Sequence, residues 1–221
     1  MIARFGLIAG TIVALFAAAP SGAAAGGAKS LDFDAVFSAN GEPAFLHYGV
    51  MFVSKGAVHR MEMWRDHDRL LKRATDAAIT TFALHKSGDP AYAMIVLDRT
   101  RRISTKISRE SLYRIGSFTD WYDLTHGLRH PKIAYTLQPG TAPAAMPRVP
   151  APCAWYDLTQ ASHVTHICWD ATARIPALIV VGRHLVWRVV SLDRKPIAPS
   201  VFVVNDKGYV HDDADHDIER D

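Results

Sequence analysis

Ala44-Phe-Leu-His-Tyr-Gly-Val-Met-Phe-Val-Ser-Lys-Gly-Ala-Val-His-Arg-Met-Glu-Met-Trp64 decides the fold class. Its side chains change character at every second position. Ala44, Leu46, Tyr48, Val50 and Phe52 alternate with Phe45, His47 and Gly49, and Met61 and Met63 alternate with Arg60, Glu62 and Trp64. A period of two belongs to a strand, whose side chains leave on opposite faces in turn. Lys55-Gly56 supplies turn chemistry between the two runs. Similar runs follow at 70–71, 79–84 and 92–97, punctuated by Asp66-His67-Asp68, Thr75-Asp76 and Ser87-Gly88-Asp89-Pro90. Short strands with turn signals at this spacing predict an antiparallel meander, not parallel βαβ units.

Upstream, residues 30–39 read as a short amphipathic helix. Ser30 or Asp32 is its cap, and Asn40-Gly41 its stop. Downstream the period shifts over 109–128, where Leu112, Ile115, Trp121, Leu124 and Leu128 predict two short helices, the second capped by Thr119 or Asp120. Five prolines at 139, 143, 147, 150 and 152 make the next segment an extended surface connector. Strands are expected again at 153–158, 163–170, 177–181, 185–192 and 201–204.

The first two of these late strands carry the chain's two cysteines. With 159–162 as the turn, Cys153 falls opposite Cys168, Trp155 opposite His166 and Asp157 opposite Val164. A disulfide across this hairpin closes a loop of about 15 residues, for which loop entropy gives about 3 kcal/mol. Such a bond belongs to an oxidising compartment. The N-terminus agrees, because Arg4 precedes an apolar run over 5–19, and Ser21-Gly22-Ala23-Ala24-Ala25 offers a small-residue cleavage site. Residues 1–25 are therefore expected to be a signal peptide cleaved near Ala25, and the mature protein to be periplasmic. The apolar run is shorter than the roughly 20 residues that span a bilayer.

The chain has 221 residues, 49% hydrophobic, with a formal charge of +3. This size suits one domain, here expected over 26–210 with a helical insert at 109–130 and the proline connector at 139–152. The charge is unevenly spread. Residues 211–221 hold six acids and one arginine, a net of −5, and 1–25 hold only Arg4, which leaves +7 on the body between. The acidic end is expected to be a solvated tail, with His211, Asp213 and His216 as alternative metal ligands.

Catalytic signatures are missing. There is no His-Glu-x-x-His, Gly-x-Ser-x-Gly, phosphate-binding Gly loop or Cys-x-x-Cys-His. His163, His166 and Cys168 cluster, but strand geometry turns His163 away from the other two, and oxidation removes the thiolate. Asp120, Asp123, His126 and His130 gather in the helical insert without a metalloprotease base at the right spacing. A non-enzymatic protein without cofactor, metal or nucleic-acid partner is the expectation. Met51, Phe52, Met61, Met63, Trp64, Met94, Trp169 and Trp187 put flexible and aromatic apolar matter on the strands, suited to an adaptable cavity.

The order of elements resembles a family. Met61-Glu-Met-Trp-Arg-Asp-His-Asp-Arg-Leu-Leu-Lys-Arg73 is similar to the early strand–turn–strand of periplasmic lipoprotein-carrier (LolA-like) domains. Ile167-Cys-Trp-Asp-Ala-Thr-Ala-Arg-Ile-Pro-Ala-Leu-Ile179 resembles their strand, Trp/Asp turn and Leu-Pro strand, and Gly182-Arg-His-Leu-Val-Trp-Arg188 and Pro199-Ser-Val-Phe202 their last strands. The resemblance spans most of residues 30–205. It implies an α+β fold, a strongly curved antiparallel sheet (an unclosed β-barrel) with short helices over its concave face. It also implies binding of an acyl chain or other lipid, with Phe52, Met61, Met63, Trp64, Met94 and Trp187 as lining and Arg60 or Arg65 as the polar gate.

Two functions fit. One is a carrier or binder of a hydrophobic small molecule or lipid in the periplasm, with peripheral membrane contact. The other is an envelope interaction or sensor protein whose sheet is filled by its own side chains and whose partner is a protein.

Overall fold

The structure is a computed structural model, and it describes residues 29–86, 91–114 and 120–218. The leader expected over 1–25, the turn at 87–90, Thr119 as an alternative cap and the last three residues lie outside these. Twelve strands form one large curved, unclosed sheet in the order β12-β6-β5-β4-β3-β2-β1-β11-β10-β9-β8-β7. The expected sheet-dominated architecture is what the chain adopts.

Two meanders meet in the middle. The first runs β1 (Phe45–Ser54), β2 (Ala57–Asp66), β3 (Leu70–Thr75), β4 (Ile79–His85), β5 (Tyr92–Asp98) and β6 (Ile103–Ser108). The second runs β7 (Tyr135–Pro139), β8 (Ala154–Gln160), β9 (His163–Asp170), β10 (Ile175–Val181) and β11 (His184–Asp193). The first strand of one pairs antiparallel with the last strand of the other, Tyr48 opposite Leu192 and Phe52 opposite Trp187. One register shift falls on this seam, between Gly49 and Val50, and another on the adjoining β10–β11 pair, between Ile179 and Val180. Bulges increase local twist and bend a strand, so they sit where the sheet needs to curl. Gly49 is required at its bulge: its N–H donates to Ser191 Oγ at 3.0 Å, and a Cβ there would meet that oxygen at 2.6 Å.

Short helices lie on one face. α1 (Phe33–Val36) is capped by Asp32, whose Oδ1 accepts from the Ala35 N–H at 2.8 Å. It buries Phe33 and, just past its end, Phe37 against Leu137, Leu158, Ile167 and Trp169 of the second meander. α2 (Arg109–Arg114) and α3 (Trp121–His126) place Leu112 and Leu124 against Leu46, Tyr48, Met61, Met63 and Met94 of the first. Asp120 caps α3 through the Asp123 N–H, and Gly127 ends it in the left-handed region at φ 68. The two helices expected in 109–128 thus exist, and they pack on the face that bears Met61 and Met63.

Four expectations are corrected. The Cys153–Cys168 disulfide is present, but the hairpin register differs by two residues. Trp155, not Cys153, stands opposite Cys168, and Asp157 opposite His166, because the turn contains just Ala161 and Ser162 between Gln160 and His163. A shift by two keeps every side chain on its face, so the bond forms diagonally. Residues 201–204 are not a strand: Pro199–Phe202 forms a 3₁₀ turn lying over β3. The start of the acidic segment belongs to the sheet, as β12 (Val210–Asp213) runs parallel to β6 and leads into α4 (Ala214–Ile218). Finally, β7 forms from Tyr135 onward, where no strand was expected.

Among the described residues no helix is long and apolar enough to cross a membrane. The disulfide is characteristic of a non-cytoplasmic compartment.

Candidate functional site

The inward face of the first meander follows from its pleat. On β2, Met61, Met63 and Arg65 are buried while Glu62 is exposed and Trp64 half-buried on the opposite side. On β3 the same face carries Leu71, Arg73 and Thr75, because Leu71 pairs with Arg65 and Arg73 with Met63. α3 lies over these residues without filling the space beneath it. Two adjoining cavities remain. One, of about 340 Å³, is lined by Phe52, Met61, Met63, Ile79 and Trp187. The other, of about 330 Å³, is lined by Tyr92, Met94, Leu112 and Arg129. Arg73, Asp123, Leu124 and Gly127 belong to both. These volumes fall within the range of small-ligand sites.

Five of the six residues expected to line a pocket therefore surround this space: Phe52, Met61, Met63, Met94 and Trp187. Trp64 does not. It sits on the outer face, stacked on His47 at 4.7 Å with Lys72 Nζ 4.9 Å from its ring. Its neighbour Met63 faces in, so a strand must send Trp64 out. Of the two arginines expected as a gate, Arg60 is exposed on the same outer side of β2, beside Glu62 and the Asp76 turn. Arg65 points inward and is 1% exposed.

Arg65 ties three segments together. Its Nη1 lies 3.1 Å from Glu42 Oε2, in the segment before β1, and 3.1 Å from His126 Nε2 at the end of α3. His126 Nε2 is 3.0 Å from the same Glu42 oxygen. With the ring proton on Nε2, one carboxylate oxygen accepts from both the Arg65 guanidinium and the His126 ring and holds α3 to the sheet. Burial pushes the His126 pKa down, opposed by the Glu42 hydrogen bond and reinforced by the Arg65 charge. The imidazole is thus held neutral and Arg65–Glu42 is the ionic pair. Arg65 Nε and Nη2 are buried without hydrogen-bond partners. Tyr48 adds a second link from sheet to helix, donating to Met63 Sδ at 2.7 Å with the Thr125 carbonyl 3.4 Å away. Burial raises its pKa, so the phenol stays protonated.

Gly127 is the close-approach point. A Cβ there would stand 2.5 Å from Trp187 Cη2, and its φ of 68 already favours glycine. The Trp187 indole N–H donates to the Pro176 carbonyl at 2.8 Å, which fixes the ring beneath the end of α3.

The remaining candidates are accounted for in place. His166 Nδ1 is 2.7 Å from Asp157 Oδ1 and its neighbour Cys168 is oxidised, while His163 is exposed at the strand start. Asp120, Asp123 and His130 bring three potential metal-donor atoms within 4.8 Å, all on half-buried residues. His130 already fills that space, with Nδ1 3.1 Å from Asp123 Oδ1 and Nε2 3.0 Å from Asp34. Burial raises the Asp123 pKa, against the lowering effect of the His130 hydrogen bond. His211 and Asp213 lie in β12, where Asp213 faces Lys106 at 3.6 Å, and His216 is in α4.

Arg73, Tyr92, Leu112 and Leu124 were missed as lining residues. Arg73 had a readable signal: a charge two places after Leu71, on a stripe of β3 that is otherwise uncharged. The chain matches no family model and no curated protein.

Proposed function

We propose that the protein is a non-enzymatic, exported binder or carrier of a hydrophobic ligand, a lipid or acyl chain, in the manner its resemblance to LolA-like carriers implies. One observation carries this reading: the concave face of β1–β5 retains adjoining cavities of about 340 and 330 Å³ under α3, walled by Met61, Met63, Phe52, Met94 and Trp187. The space beside Met61, Met63, Phe52 and Trp187 is lined mainly by apolar groups, and the adjoining one beside Tyr92, Asp123 and Arg129 is more polar, the combination that small-ligand sites present. Methionine and aromatic walls adapt to ligands of varying shape. Arg65, which fastens α3 to the sheet through Glu42 and His126, takes the gating role, because loosening α3 opens the space below it.

The compartment is the periplasm, reached through the 1–25 leader, and the disulfide supports that setting. Delivery to or from an envelope surface then requires peripheral contact with a membrane or a protein partner. The same cavities weigh against a sheet filled by its own side chains, the architecture that an interaction or sensor role would need.

The test is native mass spectrometry after gentle purification, with titration by a fluorescent fatty acid. Co-purified lipid and saturable binding are expected. A ligand-free protein that ignores the probe overturns the proposal.

A further inference from the structure

Arg73 carries a charge with no direct ion-pair or hydrogen-bond partner among the described residues. It stands on β3 with its side chain toward the concave side, opposite Met63 on one neighbour and Thr81 on the other. It lines both cavities, at the place where they adjoin. Among the described residues it has no carboxylate partner and no hydrogen-bond acceptor. The groups whose charge it senses are the phenols of Tyr48 and Tyr92. Both phenols have raised pKa values, chiefly through burial, and are neutral near pH 7. Burial also pulls the Arg73 pKa below the usual arginine value, yet a guanidinium keeps its charge.

The contrast with Arg65 is instructive. That guanidinium, deeper in the same face, has Glu42 at 3.1 Å. Arg73 is half-buried on the cavity wall, and an anion that reaches it there gains a charge-assisted pair with a guanidinium that has no counter-ion to give up. The one carboxylate in the walls of both cavities, Asp123, is engaged by the His130 ring and backbone N–H through Oδ1, and its pKa is raised. Arg129, exposed at the side of the Tyr92–Met94 cavity, adds a second positive charge near the opening. Beyond Arg73 in the other direction the walls are Met61, Met63, Phe52 and Trp187.

We propose that Arg73 receives an acidic head group, so that the cavity takes a single-chain amphiphile ending in a carboxylate or a phosphate in preference to a neutral acyl group. The head pairs with the guanidinium where the cavities adjoin, and the chain lies along the methionines toward Trp187. Arginine suits both anions, since its planar fork matches carboxylate and phosphate oxygens in pairs. This assignment rests on the cavity being a ligand site, and the experiment separates the two.

The purified protein, loaded with the neutral probe N-phenyl-1-naphthylamine, is titrated with laurate, dodecyl phosphate and methyl laurate. The chain length is matched, so the head group is the variable. At least one acid should displace the probe at about tenfold lower concentration than the ester, equivalent to about 1.4 kcal/mol. Arg73→Gln should bring acid and ester to within about threefold by weakening the acid alone, and Arg73→Lys should keep most of the preference. Laurate ahead of dodecyl phosphate identifies a fatty acid as the ligand class, the reverse order identifies a phosphorylated lipid, and equal affinities assign recognition to charge alone.

Ester and acids of equal affinity on the unsubstituted protein overturn the Arg73 assignment and leave the apolar cavity standing. Acid preference undiminished in Arg73→Gln also overturns it. Failure of the probe and all three amphiphiles to bind overturns both this and the carrier reading. Should Arg73→Gln fail to fold, the acid-to-ester ratio of the unsubstituted protein and of Arg73→Lys decides.

Discussion

The two meanders share one sheet and one concave face, yet they fill it differently. Over β7–β10, α1 drops Phe33 and Phe37 into a set of rings: Phe37 is 5.1 Å from Trp169 and 5.5 Å from Tyr156, both edge-on. A disulfide fastens the start of β8 to β9. Over β1–β6 the covering helices bring Leu112 and Leu124, with one ring, Trp121, beside His85 and Tyr92, and meet the sheet through polar links at Tyr48, Arg65 and His126. The first arrangement excludes space and the second preserves it. One curved sheet can therefore carry both a close-packed core and a partly open one, depending on whether stacked rings or polar links dominate beneath its helices.

Removing a large ring from the packed half should have the greatest effect. Trp169 is 1% exposed, and Trp169→Ala should cost about 3–5 kcal/mol in urea unfolding. Met94→Ala, on a wall already beside a cavity, should cost about 2 kcal/mol, the low end for such truncations. Equal losses at both sites would dissolve the distinction between the halves.

The disulfide comes next. Cys153→Ala/Cys168→Ala should lower stability by about 3 kcal/mol, as expected for a 15-residue loop. Amphiphile binding by the folded fraction should be unchanged, since neither sulfur borders the cavity. A variant that stays equally stable but loses binding would reverse the roles assigned to the halves.

Gly127→Ala should cost about 1–2 kcal/mol for its left-handed backbone alone. The added Cβ would also displace Trp187. A shift in tryptophan emission together with weakened binding is expected; unchanged emission would mean that α3 moves instead of the indole.

The smallest effect is on pH dependence. The folded-state pKa of His126 is lowered by burial. Above about pH 6.5 the ring is neutral whether folded or unfolded, and its contribution to stability is complete. As pH falls below that value the unfolded chain takes up the proton first, and stability declines by at most about 1.4 kcal/mol per pH unit. Thermal melts from pH 7.5 to 5.5 should show this decline, with His126→Gln giving a flatter profile. Parallel profiles would remove His126 from the account of how α3 is held.

Much of the packed framework can be read from residue order, because alternation and hairpin chemistry are local. β1 to β5 announce themselves by period, and α3 by Asp120 and Gly127 at its ends. The β8–β9 register was read two residues out because Ala161 occupies φ 50, a conformation that favours glycine or asparagine. β7 and β12 escaped notice for a different reason: one abuts the proline segment, the other reads His-Asp-Asp after Val210, and both owe their form to a neighbouring strand. The cavity residues were legible as a collective, Met61, Met63, Met94, Phe52 and Trp187, while Trp64 was misplaced despite the alternation that sends it outward. Arg73 and the Glu42–Arg65–His126 cluster depend on contacts between segments far apart in the chain, which no local period encodes.

β12 changes the meaning of the acidic residues that follow Val210. Without it, β6 would present an open row of backbone donors and acceptors to any passing strand, the usual route to sheet-to-sheet aggregation. Val210–Asp213 occupies that row in parallel register, and what it then offers outward is short and negatively charged. A second sheet approaching this border meets carboxylates where it would need apolar partners. The negative charge that follows Val210 thereby disfavours pairing of copies across this border of the sheet.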